Sequence, residues 1–549
     1  MKPNLQISKY GKYAVLIPIL LCLGFVVDTN LKQNQQQNIL WITCEDMSPE
    51  HLGCYGGKVA KTPNIDQLAS DGVQYSKVYS TAGVCAPSRN ALISGMYQTS
   101  IGGHNMRNYL PGNVKIPGLE NLPNYSIVTP ESFRCFPEYL RKAGYYCTNN
   151  EKQDYQFEAP VTVWDENSRK ADWRGRSSKS QPFFSIINFM DTHESQIFSR
   201  DNRPLTVDPK NVILSPFVPD TEAQRKDLAR HLSNIEEMDK KLGEVIAKLK
   251  EDGLYENTII FFYSDHGDGL PYAKRELYER GLKVPLIIKF PKNANAGKKD
   301  NQLISFVDFA PTVLSLAGLD IPKFMQGQSF LGEKASKIQR KYIYAARDRM
   351  DSEVDRVRAV SDGRFKYLKN YMPDKPYYQD IQYRMSIKGM SELIQLRDQG
   401  KLSGLQMHWF RSNKPQEELF DTSVDPFETN NLAERPEFKT KLLELRAMHE
   451  QWLRKYGDLG SISESEVVKK WQAGKDYNLK TGNPKISPSS NFVKIECSTK
   501  GASIGYKRHK SDLSWKVYDK PIKVSKGDTI ICFAHRIGSL SSDVITRVF

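Results

Sequence analysis

Cys85-Ala86-Pro87-Ser88-Arg89 brings a soft nucleophile, a helix-opening residue and a cation into five positions. Pro87 is placed to open a helix. Cys85 then lies just before a helix N-terminus, where free N–H groups and the dipole favour anions. Arg89 lies four residues on and returns to the same face if the turn is helical. A buried structural cysteine beside a surface arginine is the local alternative. Elsewhere three apolar runs end in polar clusters. Ile39–Cys44 runs into Glu45-Asp46, Phe183–Phe189 into Asp191-Thr192-His193, and Thr258–Tyr263 into Asp265-His266-Gly267. Each acidic residue after a strand is compatible with a helix cap. Carboxylates with histidine neighbours also suit a hard cation, Ca²⁺ or Mg²⁺.

The elements that must position these groups follow from hydrophobic patterning. Apolar runs alternate with helical patterns, which argues for α/β with a mainly parallel sheet. Ligands of such sheets bind beyond the carboxyl ends of the strands, so groups distant in sequence can converge there. Ile39–Cys44, Phe183–Phe189, Thr258–Tyr263 and Val284–Phe290 are the expected strands. Leu228, Leu232, Ile235, Met238, Leu242, Val245, Ile246 and Leu249 recur at helical spacing, and Gly253 supplies the stop. Tyr342–Tyr344 and Phe365–Leu368 suit a second, smaller sheet, and Glu434–Tyr456 a closing helix. Residues 457–490 turn polar and read as a linker. Residues 491–549 alternate short β-rich runs with Gly turns, as in a small β-sandwich module.

Composition narrows the class. The chain of 549 residues is 39% hydrophobic and 26% charged, an ordinary globular mixture that excludes wholesale disorder. A net charge of +14 favours polyanionic partners: nucleic acid, anionic lipid or sulfated glycan. The chain shows no RNA-binding signature or zinc-finger spacing, so no nucleic-acid partner is expected. Lys2, Lys9 and Lys12 precede the apolar run Ala14–Val27. That run is shorter than a span of ~20 residues and suits a signal peptide, residues 1–28, with export to the periplasm or beyond and no stable membrane span. Cys497–Cys532 is a plausible disulfide within the terminal module.

Cys85-x-Pro87-Ser88-Arg89 followed by Ser94-Gly95 resembles the signature of type I sulfatases. So do Asn38-Ile39-Leu40 leading to Glu45-Asp46, Thr62-Pro63-Asn64-Ile65-Asp66-Gln67-Leu68-Ala69, Ser264-Asp265-His266-Gly267, Phe306–Thr312 and the stretch from Glu418 to Leu432. The resemblance covers about residues 38–455. It implies an alkaline-phosphatase-like sulfatase fold: a large, mainly parallel sheet flanked by helices, a smaller C-terminal sheet subdomain and an appended all-β module. The catalytic domain would span 36–456, divided near 335. It also implies oxidation of Cys85 to formylglycine by a maturation enzyme. Hydrated, that residue is a geminal diol, with one hydroxyl to attack sulfur and a second to help expel sulfate. The implied cation is Ca²⁺, held by Glu45, Asp46, Asp265, His266 and modified Cys85. Arg89 would hold the formylglycine. Lys152 and Lys274 would meet sulfate, and His193 would bind sulfate or protonate the departing oxygen or nitrogen.

Two departures from the family pattern bear on the site. Glu45 stands where many members have Asp, and His266 where many have Asn. The segment after Lys152 carries Asp154 where a histidine is frequent. His104 suits either a substrate contact or a structural role. Arg347, with Asp348, Arg349 and Arg356, suits sugar binding or an ordinary ion-pair cluster. Thr192-His193-Glu194-Ser195 and Glu45–Pro49 look most like the branch containing N-sulfoglucosamine sulfohydrolases and bacterial polysaccharide sulfatases. The expected activity is hydrolysis of sulfate from a sulfated carbohydrate, ulvan-like or heparin-like. A phosphomonoester or phosphonate hydrolase of the same superfamily and a non-catalytic glycan-binding protein are the alternatives.

Overall fold

The computed structural model describes residues 36–106, 108, 125–474 and 479–549; the expected signal peptide lies outside them. Among the described residues no helix is long and apolar enough to cross a membrane. Strands Asn38–Cys44 (β1), Val73–Tyr79 (β2), Tyr146–Asn149 (β3), Glu166–Asn167 (β4), Phe183–Phe189 (β5), Thr258–Ser264 (β6), Leu286–Lys289 (β7) and Lys298–Ser305 (β8) form one sheet. Their order is β4-β3-β5-β1-β6-β7-β2-β8. Neighbours run parallel except β7, which is antiparallel to both β6 and β2.

Because side chains alternate along a strand, β1 serves two cores. Ile39 and Trp41 face one side with Phe184, Phe261 and Tyr263. Leu40, Ile42 and Cys44 face the other with Ile260 and Phe262. The expected amphipathic helix covers that second face as Glu222–Glu251, burying Leu228, Leu232, Ile235 and Met238. The Thr221 hydroxyl caps it by accepting from the Gln224 N–H.

A second sheet, antiparallel, comprises Ile343–Arg347 (β9), Val357–Ser361 (β10), Phe365–Asn370 (β11) and Glu417–Asp421 (β12). The helix Lys439–Tyr456 closes it, Leu442 and Leu445 packing with Val360, Tyr367 and Leu419. That helix starts later than expected because Pro436 opens a separate 3₁₀ turn, Pro436–Phe438. Strands Lys485–Ser489 (β13), Phe492–Glu496 (β14), Ser503–Lys507 (β15), Lys516–Val517 (β16), Ile522–Lys523 (β17), Thr529–His535 (β18) and Ile545–Val548 (β19) complete the fold. They make sheets β13-β14-β17 and β16-β15-β18-β19 over a shared core of Ile486, Val493, Ile495, Ile530 and Cys532.

Two expectations are corrected here. Residues 457–490 are not a bare linker: they contain the helix Glu464–Trp471 and strand β13. Val468 is buried in the main core with Trp471 packed against it, and Glu464 accepts from Arg349 at 2.7 and 2.8 Å and from the Tyr125 hydroxyl at 2.6 Å. A few anchors outweigh a polar composition. Cys497 and Cys532 are free thiols, not a disulfide. The Cys497 thiol turns to the Gly482 carbonyl at 3.2 Å, while Cys532 is buried in the sandwich core.

Candidate active site

Four adjacent parallel strands, β3, β5, β1 and β6, end at one edge of the large sheet. The register sets Cys44 opposite both Phe189 and Ser264, so the residues that follow each strand meet in space. Glu45 and Asp46 leave β1, His193 and Glu194 follow β5, and Asp265 and His266 leave β6. Lys152 follows β3. Asp46 adopts φ 48°, a left-handed conformation that Asp tolerates better than most residues. Its N–H donates to Asp265 at 3.2 Å, and its carboxylate accepts from the Glu194 N–H at 2.7 Å.

The helix Cys85–Ser94 enters this edge with every residue buried, which explains why its sequence lacks an amphipathic stripe. Cys85 is its first residue rather than the residue before it. The Ser88 hydroxyl anchors the first turn to the Asp265 carbonyl at 2.6 Å. Cys85 Sγ then stands 3.3 Å from His266 Nε2, 3.6 Å from Glu45 and 4.0 Å from Asp46. Arg89, one turn on, bridges three acceptors: Glu45, Asp265 at 3.2 Å and Asn188 at 2.8 Å.

Cations surround the carboxylates. Lys152 Nζ lies 3.4 Å from Glu45 and 2.8 Å from Asp154. Lys274 Nζ lies 2.6 Å from Asp46 and 3.0 Å from Glu194. Arg275 clamps Glu194 through both guanidinium NH₂ groups, at 2.7 and 3.0 Å. Burial works to neutralise Glu45, but Arg89 and Lys152 outweigh it and hold the carboxyl well below the usual range. Lys274 does the same for Asp46. Asp265 moves the other way, raised by burial and by the Glu45 charge. Burial pushes the Cys85 thiol up, with Lys274 the main opposing charge. It pushes His193 down, and Lys274 adds to that.

Glu45, Asp46, Cys85 and His193 place donor atoms within 4.8 Å of one another, as do Cys85, Asp265 and His266. His266 Nδ1 faces the Gly267 carbonyl at 2.9 Å and Nε2 lies 3.1 Å from Asp46, so Nε2 is the nitrogen turned to the cluster. Three carboxylates and the His266 imidazole, in two groups that share Cys85, suit a divalent cation. Lys152 and His193 line an adjoining cavity of about 640 Å³, together with Tyr125, Tyr155, Phe157 and Tyr383.

Sequence reasoning brought Cys85, Arg89, Lys152, His193, Lys274, Glu45, Asp46, Asp265 and His266 to notice, and the fold gathers all nine. His104 and Arg347 lie elsewhere. His104 lines a separate cavity with Arg356 and Tyr371. Arg347 is buried between Glu276, at 2.6 Å, and Gln379, at 2.9 Å. Glu194, Arg275 and Asn188 were missed. Glu194 and Arg275 adjoin His193 and Lys274, but only the fold pairs them; Asn188 sits inside an apolar run.

Residues 37–176 and 171–319 match the family model described as Sulfatase, and residues 267–385 match one described as N-sulphoglucosamine sulphohydrolase, C-terminal. An ulvan-active sulfatase of Formosa agariphila is 44% identical, over 94% of this chain and 92% of its own. N-sulphoglucosamine sulphohydrolase of Homo sapiens is 23% identical, over 79% of this chain and 93% of its own. A solved 2-O GAG sulfatase shares the fold at a TM-score of 0.56 and 19% identity, over 77% of this chain and 93% of that one. The chain belongs to the sulfatase family. It is an enzyme, a sulfuric ester hydrolase.

Proposed function

We propose that the substrate is an ulvan-type sulfated polysaccharide or its oligosaccharides, and that residue 85 acts as formylglycine. The 44% identity to a relative named as ulvan-active supports the polysaccharide. The placement of Cys85 carries the rest: it is the first residue of a buried helix, set among Glu45, Asp46 and His266 beside an open cavity. A thiol raised by burial stays protonated and is a poor nucleophile. Oxidised and hydrated, position 85 supplies a geminal diol, one hydroxyl for sulfur and a second for releasing sulfate. Glu45, Asp46, Asp265 and His266 would hold a cation, Ca²⁺ in this reading, which would polarise sulfate oxygens and acidify the diol.

The protein's own groups do the remaining work. Arg89 ties Glu45 to Asp265 and so holds the two strand ends in register. Lys152 and His193, at the cavity wall, meet the sulfate and the departing atom. Lys274 and Arg275, balanced on Glu194, keep positive charge fixed behind Asp46, where it stabilises a charge-rich transition state without reorganisation. Export through the N-terminal signal and modification by a maturation enzyme complete the reading.

The test is sulfate release from ulvan and heparin-type oligosaccharides, alongside matched aryl sulfate and phosphate esters, with mass analysis of the Cys85 peptide. Ulvan turnover with a formylglycine peptide is expected, and Cys85→Ser should lose about a thousandfold or more. Preference for the phosphate ester, or full activity with an unmodified thiol, overturns the reading.

A further inference from the structure

Beyond the Cys85 cluster, the described residues hold one more group able to bind a metal, and no step above uses it. His51, His231 and Asp268 place their donor atoms within 4.8 Å of one another. His51 Nε2 lies 2.9 Å from Asp268 Oδ2, and His231 Nε2 lies 3.7 Å from Asp268 Oδ1. The two imidazole rings meet edge-on, their centroids 5.5 Å apart. His231 and Asp268 are fully buried. His231 occupies the apolar stripe of the Glu222–Glu251 helix, and neither ring nitrogen has a hydrogen-bond partner within 3.5 Å. A buried polar group left unpaired is costly, so this imidazole calls for a ligand.

We propose that His51, His231 and Asp268 form a second cation site, for a first-row transition metal such as Zn²⁺. Two imidazoles and one carboxylate suit such an ion better than Ca²⁺, which prefers oxygen throughout. His51 lines a cavity of about 380 Å³, which gives the ion a route in and leaves room for a water at the fourth position. Arg280, whose Nη2 lies 3.6 Å from Asp268, has Ser215 at 3.0 Å from Nη1 and Glu50 at 3.9 Å from Nε to hold it when the carboxylate turns to the metal. The site would brace the active edge. Asp268 lies three residues after Asp265 and accepts from the Ser48 N–H at 2.8 Å, two residues after Asp46. One ion would cross-link both strand-end loops to the long helix.

The experiment uses tag-free full-length protein, stripped with chelator and supplied with excess Ca²⁺. It is titrated with Co²⁺, read by visible absorption, and with Zn²⁺, read by calorimetry and thermal unfolding. One equivalent of Co²⁺ displaced by Zn²⁺, with a raised unfolding midpoint, is expected. His231→Leu and His51→Ala should each bind at least tenfold more weakly, while Asp265→Asn keeps the signal. His51 sits at the cavity edge, so its variant decides if His231→Leu fails to fold. No zinc uptake, or uptake that survives in His51→Ala but vanishes in Asp265→Asn, overturns the proposal.

Discussion

Arg89 shows how much one side chain carries at this site. Its guanidinium meets Glu45, Asp265 and Asn188 at once, a fork that an ammonium cannot reproduce. Arg89→Lys keeps the charge but gives up two of the three contacts. We expect kcat to fall by about tenfold to a hundredfold, with the far-UV spectrum unchanged, as steady-state kinetics would show. Glu194 is the anionic counterpart. Glu194→Gln leaves Lys274 and Arg275 sharing a buried place with one carboxylate fewer. Removing one partner of a buried ion pair costs about 3–5 kcal/mol, to be read from urea denaturation.

Between elements, the turn from β6 decides whether these contacts form. Gly267 separates His266 from Asp268, and its N–H donates to the Gly281 carbonyl at 3.0 Å. A Cβ at this position would overlap the Arg280 carbonyl oxygen, backbone that has no side chain to swing away. Gly267→Ala should therefore shift the whole turn, with His266 on one side and Asp268 on the other. A destabilisation of about 3 kcal/mol or more is expected, together with a larger loss of turnover than any surface substitution. Differential scanning calorimetry and kinetics of the same variant check both. Gly253, at the end of the long helix, meets no atoms that a Cβ would strike. Its replacement is limited by its φ of 69° alone and should leave turnover intact.

Across the whole molecule, acid stability is set partly by a histidine far from the cavity. His449, on the helix that closes the second sheet, is buried, with its ring 3.2 Å from the Tyr371 hydroxyl. Burial pushes it down to about 4 from an ordinary 6.5, with the Arg358 charge adding to the effect. The folded state therefore takes up this proton later than the unfolded chain does. Stability is whole above pH 6.5 and is lost as pH falls toward 4, by up to about 3 kcal/mol. His449→Gln should flatten that part of the acid limb, measured as unfolding midpoints between pH 7 and pH 4.5. The Glu464–Trp471 helix is a second test at this scale. Glu464→Gln weakens a bidentate contact with Arg349 and should loosen proteolytic protection of the stretch 457–490 before the rest of the molecule unfolds.

Much of this protein was readable from residue order alone. Apolar runs followed by polar, acid-bearing clusters marked three strand ends, the period of Leu228–Leu249 marked the long helix, and Cys85–Arg89 marked the candidate nucleophile. These signals are local, so patterning exposes them. Tertiary structure alone decided that β3, β5, β1 and β6 lie side by side, because register depends on which faces bury together. It paired Glu194 with Lys274 and Arg275, set Asn188 under Arg89, and moved His104 and Arg347 away from the cavity. It also turned an apparent linker into a packed helix and kept Cys497 apart from Cys532. The physical reason is common to all of these: a contact between residues tens to hundreds of positions apart leaves no periodicity behind, and only the packed chain brings its partners within reach.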